Sequence, residues 1–421
     1  MTASRHSPGR HFLQIPGPTP VPDRILRAIS YPPIDHRGPE FQRLGRALLA
    51  GMKWVFKTRS SVIIHTCSGT GALEAALANT LSRGDKVLMF ETGHFAVLWR
   101  NMARNLGLDP EFITSDWRVG ADPGALEQRL REDKEHLFKA VCIVHNETST
   151  GCVSPVQAVR QSIDAAGHPA LLIVDTVSSL ASIDYRHDEW GVDIAIAASQ
   201  KGLMLPPGLA FAAVSEKALR ATRSAKLPRH YFDWGAMLQS NAQGFFPFTP
   251  STNLLFGLKE ALEMLQEQGL DNTFARHARH GEATRRAVRA WGLEVWCREP
   301  ANYSSALTAV AMPKGHSADQ VRELALARFD LSLGTGLTKL ADKVFRIAHL
   351  GDVNDLTIIG ALAGVEMALE MAQAPHRLGG VQAAMAYLAG EARNLEARAA
   401  SPAARTAKKH GHTLTPLKAR G

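Results

Sequence analysis

Between residues 60 and 215, short apolar runs alternate with segments whose apolar positions recur every three or four residues. Residues 61–66 (SVIIHT) lack the alternation of a half-wet strand and predict a buried one. Residues 71–81 follow with Leu73, Ala76, Leu77 and Leu81 on one helical face. Residues 86–90, 140–145, 171–174, 193–197 and 210–214 are further runs of the buried type. A strand covered on both faces has no polar side. Such strands separated by helices therefore predict an α/β fold with a mainly parallel sheet.

From about residue 259 the pattern changes. Residues 259–291 read as long charged helices with one apolar stripe. Strands at 293–296 and 305–312, a helix at 318–329, strands at 331–333 and 343–349, and a helix at 356–371 complete an α+β unit. The expected division is an arm at 1–15, a large domain at 16–258, a small domain at 259–374 and a tail at 375–421. Within the tail, 381–398 reads as a helix and the final stretch as disordered. No internal repeat is present.

Charge changes this picture little. The 421 residues carry 48 Lys and Arg against 40 Asp and Glu, a net of +8, with 45% apolar side chains. Residues 375–421 hold eight basic and two acidic side chains, and residues 1–15 add Arg5 and Arg10, so the body between them is neutral. A phosphate-backbone binder would be basic in its folded body, so no nucleic-acid partner is expected. The longest uncharged run, 234–258, contains Asn, Gln, Ser, Thr and two prolines, which excludes a membrane span. Four scattered cysteines without a C-x-x-C pair suit a reducing compartment. The start has Arg and Ser but no apolar core for secretion, and the expected location is the cytoplasm.

Candidate chemistry begins at Lys201, within ASQKGLMLPPG, between two buried runs. Burial there would lower its pKa and favour an imine-forming amine; the alternative is an ordinary loop lysine. Asp175 closes the run LLIVD, and a carboxylate at the C-terminal end of a parallel strand points into the ligand crevice, unless it caps a helix or binds a metal. Together the two have a specific meaning. Pyridoxal phosphate needs a lysine and an acid that keeps its pyridine nitrogen protonated.

Ser68-Gly69-Thr70-Gly71 lies between a strand and a helix, where small residues and the helix end suit a phosphate or an ordinary cap. It matches neither a dinucleotide nor a P-loop signature. In residues 343–351 (KVFRIAHLG), strict period 2 places Val344, Arg346 and Ala348 on one face. Arg346 then needs an anion, either a substrate carboxylate or an internal acid. Phe95 is a stacking surface or core. His65, His145 and His349, even with Asp175 and Glu147, show no metal-ligand spacing, and no nucleophile elbow is present.

In order, the segments PGPTP (16–20), DHRGPEF (35–41), SGTGA (68–72) and HNETSTG (145–151) are followed by VDTVSS (174–179), SQKG (199–202), FTPSTN (248–253) and FRIAHLGD (345–352). Across residues 15–371 the chain resembles the class V, fold-type I pyridoxal-phosphate aminotransferases, most closely the serine–glyoxylate and alanine–glyoxylate group. The resemblance implies a large domain with a mainly parallel, seven-stranded-type sheet and a smaller α+β domain. It implies that Lys201 is the Schiff-base lysine and proton carrier, that Asp175 pairs with the pyridine nitrogen, and that Val177 packs on the ring. Ser68, Gly69, Thr70 and Gln200 would contact phosphate or ring, Phe95 would stack, and Thr148 or Ser149 would meet the ring's phenolic oxygen. Arg346 would bind the substrate carboxylate, with Gly17 in the covering loop and Thr148 nearby. Thr249 would reach the neighbouring active site, implying a homodimer. Two departures stand out: Phe246 occupies the place of a family tyrosine, and the basic tail has no counterpart.

The implied reaction moves the amino group of a small amino acid to a 2-oxo acid, with serine and glyoxylate giving hydroxypyruvate and glycine. Alanine or aspartate as donor, or pyruvate as acceptor, is the alternative, because all these donors present the same α-carboxylate. A more distant alternative is a pyridoxal-phosphate lyase or cysteine desulfurase, for which Cys297 is the candidate sulfur acceptor. A DNA-binding regulator would need a helix-turn-helix for which the ends leave no room.

Overall fold

The computed structural model describes residues 9–400, with side chains to residue 393. Fourteen strands are described, named here in chain order: β1 (Phe12–Gln14), β2 (Ser61–His65), β3 (Lys86–Phe90), β4 (Asp109–Ile113), β5 (Phe138–Val144), β6 (Asn146–Glu147), β7 (Cys152–Val153), β8 (Leu171–Asp175), β9 (Ile194–Ala198), β10 (Ala210–Val214), β11 (Glu294–Val295), β12 (Leu307–Ala311), β13 (Leu331–Thr335) and β14 (Val344–Ala348).

Seven of them form one sheet in the order β2-β10-β9-β8-β5-β3-β4. Only β10 runs against its neighbours; the other pairings, β9 with β8, β8 with β5, β5 with β3 and β3 with β4, are parallel. The apolar runs explain why. Along β8, Leu172 and Val174 enter one core while Leu171 and Ile173 enter the other, and β9 and β10 divide their residues the same way. Helices Pro39–Phe56 and Thr252–Gln268 cover the first face, and Gly69–Thr80 and His94–Asn105 cover the second.

Several details differ from the pattern reading. β4 contains Pro110 and two carboxylates and pairs only with β3, an edge position where a missing N–H costs no ladder bond. The expected helix at 71–81 starts earlier, at Gly69, because Ser68 is extended and acts as the cap residue. The long helical stretch after 252 is broken at Gly269, whose φ of +80° begins the second helix, Leu270–Ala290.

The second sheet has the order β1-β13-β14-β12-β11 and is antiparallel except for β1 beside β13. Its outer face packs on Leu270–Ala290, Ala318–Phe329, Asp355–Met371 and the helix Gly380–Ala400. Part of the N-terminal arm thus belongs to this sheet: Phe12 lies opposite Leu331, and Gln14 Nε2 donates to the Ala348 carbonyl at 2.6 Å. The tail also starts as packed structure, since Ala384 and Leu388 are buried in the same core. The disorder expected at the extreme C-terminus lies outside the described residues.

Candidate active site

The cleft opens at the C-terminal ends of the parallel strands. Beyond β2, Ser68 (φ −79°, ψ 167°) caps the helix Gly69–Thr80 without spending its side chain on a backbone N–H. That leaves the positive helix end available to an anion. Gly69 is required by packing: a Cβ there would stand 2.7 Å from Val177 Cγ2 and 3.3 Å from Ala198 Cβ. The helix end therefore sits directly against the loops that follow β8 and β9.

Asp175 ends β8 with 6% of its surface exposed. Its Oδ1 accepts from Val177 N–H at 2.8 Å, which turns the chain so that Val177 lies against Gly69. Burial pushes the Asp175 carboxyl up to about 7; nearby Glu147 adds to that rise, while the Val177 N–H and Lys201 oppose it.

Lys201 follows β9 and is also buried. Its Nζ donates to the Pro16 carbonyl, and burial, reinforced by Arg346, pulls its pKa down to about 8 against the attraction of Asp175. Segment 15–19 crosses this loop: Thr19 N–H donates to the Gln200 carbonyl at 3.1 Å and Thr19 Oγ1 to the Lys201 carbonyl at 3.3 Å. Gln200 Oε1 is buried and has no protein partner.

Arg346 arrives from the second sheet. Phe345 and Ile347 face that sheet's own core, so period 2 turns Arg346 toward the cleft. Among the described residues it has no ion pair within 4 Å. Its Nε donates to the Thr335 carbonyl and its Nη1 to the Thr148 carbonyl, both at 2.8 Å. Burial lowers its pKa to about 10, and Glu147 is the carboxylate that opposes this. A guanidinium oriented by two carbonyls, with Nη2 uncommitted, can receive a carboxylate.

The turn between β6 and β7 carries Thr148 and Ser149. Thr148 Oγ1 donates to Ser178 Oγ at 2.8 Å, and Ser178 in turn donates to the Asn146 carbonyl at 2.9 Å. Ser149 Oγ donates to Glu147 Oε1 at 2.6 Å and accepts from His94 N–H at 2.9 Å. Ser149 is therefore committed inside the fold, and its neighbour Thr148 keeps lone pairs free. Phe95, second in the helix His94–Asn105, is half-buried and belongs to neither flanking core, although it meets the His94 ring edge-on at 5.1 Å.

Other expected residues lie elsewhere. Thr249 is exposed and makes no described contact with the cleft. Phe246 packs edge-on against Phe41 with ring centres 5.8 Å apart. Cys297 is buried and held by the Glu299 and Asn302 carbonyls, unlike a sulfur acceptor on a mobile loop. No group of three His, Cys, Asp or Glu among the described residues could hold a metal ion.

The model for the family described as aminotransferase class-V matches residues 35–346. The chain belongs to the class-V aminotransferases. Members of this family are pyridoxal-phosphate enzymes, and that is the cofactor of this chain. The serine–glyoxylate aminotransferase of Methylorubrum extorquens is 50% identical over 375 residues, covering 88% of this chain and 93% of the relative. The serine–glyoxylate aminotransferase of Arabidopsis thaliana is 45% identical over 91% of this chain and 96% of its own length. The L-aspartate–glyoxylate aminotransferase of Paracoccus denitrificans is 44% identical, covering 89% and 95%. Among solved structures, pyridoxamine–pyruvate aminotransferase from Mesorhizobium loti superposes with a TM-score of 0.86 at 26% identity, covering 92% of this chain and all of that one.

The donor set fits the class-V aminotransferase cofactor. The helix end at Ser68 could receive an anion, the buried Asp175 carboxyl and the buried Lys201 amine could meet a ring N–H and an aldehyde, and Gln200 Oε1, without a partner among the described residues, could accept a hydrogen bond. Glu147, weighed from the sequence only as a metal ligand, has a contact that the sequence does not show, because it depends on a helix fifty residues away.

Proposed function

We propose that this aminotransferase transfers the amino group of L-serine to glyoxylate, forming hydroxypyruvate and glycine in two half-reactions. The observation that carries the reaction class is Lys201, a buried amine after β9 that bonds the Pro16 carbonyl and lies within electrostatic reach of Asp175 and Arg346. Support for serine is the naming of the relatives at 45–50% identity.

When bound, pyridoxal phosphate supplies an electron sink for the pair of electrons left at the substrate Cα. Lys201 would hold it through Nζ and, as a free amine, would carry the proton between the substrate Cα and the cofactor carbon that takes up the amino group. Its lowered pKa keeps an appreciable neutral fraction near pH 8. Asp175 would keep a proton at the ring nitrogen. Ser68, Gly69 and Thr70 would hold the phosphate at the helix end, with Gln200 beside them, while Val177 and Phe95 would enclose the ring. Thr148 would serve the phenolic oxygen. Arg346 binds the α-carboxylate shared by donor and acceptor, and Gly17 lets segment 15–19 close over Lys201 and exclude water.

The large and small domains divide near residue 259, and the arm at Phe12–Gln14 and the start of the tail pack with the small domain. The enzyme works as a homodimer in which Thr249 reaches the partner's phosphate site; its exposure in the single chain suits that role. Its compartment is the cytoplasm, consistent with four free thiols. Among the described residues no helix is long and apolar enough to cross a membrane.

The test is a donor screen. Purified protein is given L-serine, L-alanine or L-aspartate with glyoxylate, pyruvate or 2-oxoglutarate, and products are quantified. Serine with glyoxylate is expected to show the highest kcat/KM. A preference for aspartate, as in the name of the Paracoccus relative, would overturn the donor assignment and leave the chemistry intact.

A further inference from the structure

Helix His94–Asn105 begins without a cap of its own. Gly93 at the cap position has no side chain, and the first turn contains no acid. Its orphan N–H groups are met from another segment. Glu147 Oε1 accepts from Phe95 N–H at 3.3 Å, Glu147 Oε2 accepts from Ala96 N–H at 3.2 Å, and Ser149 Oγ accepts from His94 N–H at 2.9 Å. The carboxylate is fully buried and is steadied by the Ser149 N–H at 3.1 Å and hydroxyl at 2.6 Å. Gly93 makes the approach possible, because a Cβ there would stand 2.4 Å from Glu147 Cγ and 2.5 Å from Ser149 Oγ.

We propose that Glu147 is the positioning residue that seats Phe95 in the cleft. The carboxylate grips the backbone N–H of Phe95 itself, so the ring's origin is tied to the turn that also presents Thr148. Among the described residues Glu147 has no ion pair within 4 Å; its charge is matched by the helix N-terminus and, across the turn, by Arg346. One buried group thus connects the aromatic wall, the Thr148 turn and the carboxylate-binding arginine. A charged acceptor is needed because two N–H groups of a helix end and one hydroxyl converge on it, which a neutral amide cannot match. The inference rests on the reading that Phe95 lines the cofactor pocket.

The experiment uses the full-length protein and Glu147→Gln, Glu147→Ala, Phe95→Ala and the double variant Glu147→Ala/Phe95→Ala. Hydrogen exchange of amides 94–96 in the cofactor-free protein is expected to accelerate in both Glu147 variants. Pyridoxal phosphate affinity, measured by reconstitution, is expected to fall about 10-fold in Glu147→Ala and less in Glu147→Gln, with a changed visible circular dichroism of the bound cofactor. The double variant is expected to bind within about twofold of Phe95→Ala, since residues acting through one another are not additive. Faster exchange with unchanged affinity and dichroism would make Glu147 a cap alone and overturn the proposal. Additive losses would also overturn it, by placing the action elsewhere than Phe95. A wild-type protein that binds no pyridoxal phosphate would instead sink the underlying cofactor reading, and the exchange result would still stand. Should Glu147→Ala fail to fold, Glu147→Gln carries the same comparisons.

Discussion

Gly17 and Lys201 share space that a side chain at residue 17 enters only by displacing the lysine. A Cβ on Gly17 would lie 2.5 Å from both Cδ and Nζ of Lys201, and the residue sits at φ +106°. Gly17→Ala would strain the backbone and displace the amine together. We expect it to fold, lose most activity and incorporate pyridoxal phosphate slowly. Wild-type rates of cofactor uptake and turnover would show that segment 15–19 does not close over the lysine.

On the proposed function, Lys201→Ala removes the amine that both holds the cofactor and moves the proton. The visible absorbance of lysine-linked cofactor should vanish, and the half-reaction with serine should slow by about 10²–10⁴-fold. Added methylamine should restore part of the rate. Unaltered absorbance would refute the assignment.

Arg346→Ala should raise KM for serine and for glyoxylate by about 10–100-fold each while cofactor content stays normal. Arg346→Lys should recover only part, because a point charge cannot keep both the Thr335 and Thr148 carbonyls and a ligand. Loss of cofactor instead of a raised KM would make Arg346 structural.

Asp175 gives a pH-dependent stability in the cofactor-free protein. Its carboxyl is raised from 3.8 to about 7 in the fold, so the folded state keeps a proton that the unfolded chain releases. Stability from this group is fully present below pH 3.8 and is lost as pH rises through about 7. Asp175→Asn removes that loss. Its Tm advantage over wild type should therefore grow between these limits and level off above pH 7, even as the loaded variant loses most of its kcat. A pH-independent difference in Tm would contradict the assignment.

Thr249 can be tested by mixing. If it serves the partner's site, Lys201→Ala and Thr249→Ala subunits refolded together form mixed dimers with one intact site. Activity and tight cofactor binding should then return to about a quarter of wild type. No gain on mixing would place Thr249 in its own subunit's site or outside both.

Much of the cleft was legible because its residues sit at strand ends. Asp175, Ser68 and Lys201 each follow a buried apolar run, and a parallel sheet brings such ends together whatever the details of packing. Arg346 was legible through its apolar neighbours on a period-2 strand. The start of the helix at Gly69, the edge strand β4 and the short β1 were not, since each depends on a cap conformation or a partner strand.

By itself the sequence determined the alternation of buried strands and helices, the neutral body, and the ordered motifs in which Lys201, Asp175, Ser68 and Arg346 stand. These are local properties, written in side-chain period and spacing. The tertiary structure alone decided that Gly17 must be glycine, that Ser149 bonds the start of the helix at residue 94 while Thr148 bonds Ser178, and that Glu147 caps that helix. Those relations join residues tens to hundreds of positions apart. Their physical cause is close packing and the need to satisfy buried polar groups, neither of which leaves a periodic trace in the chain.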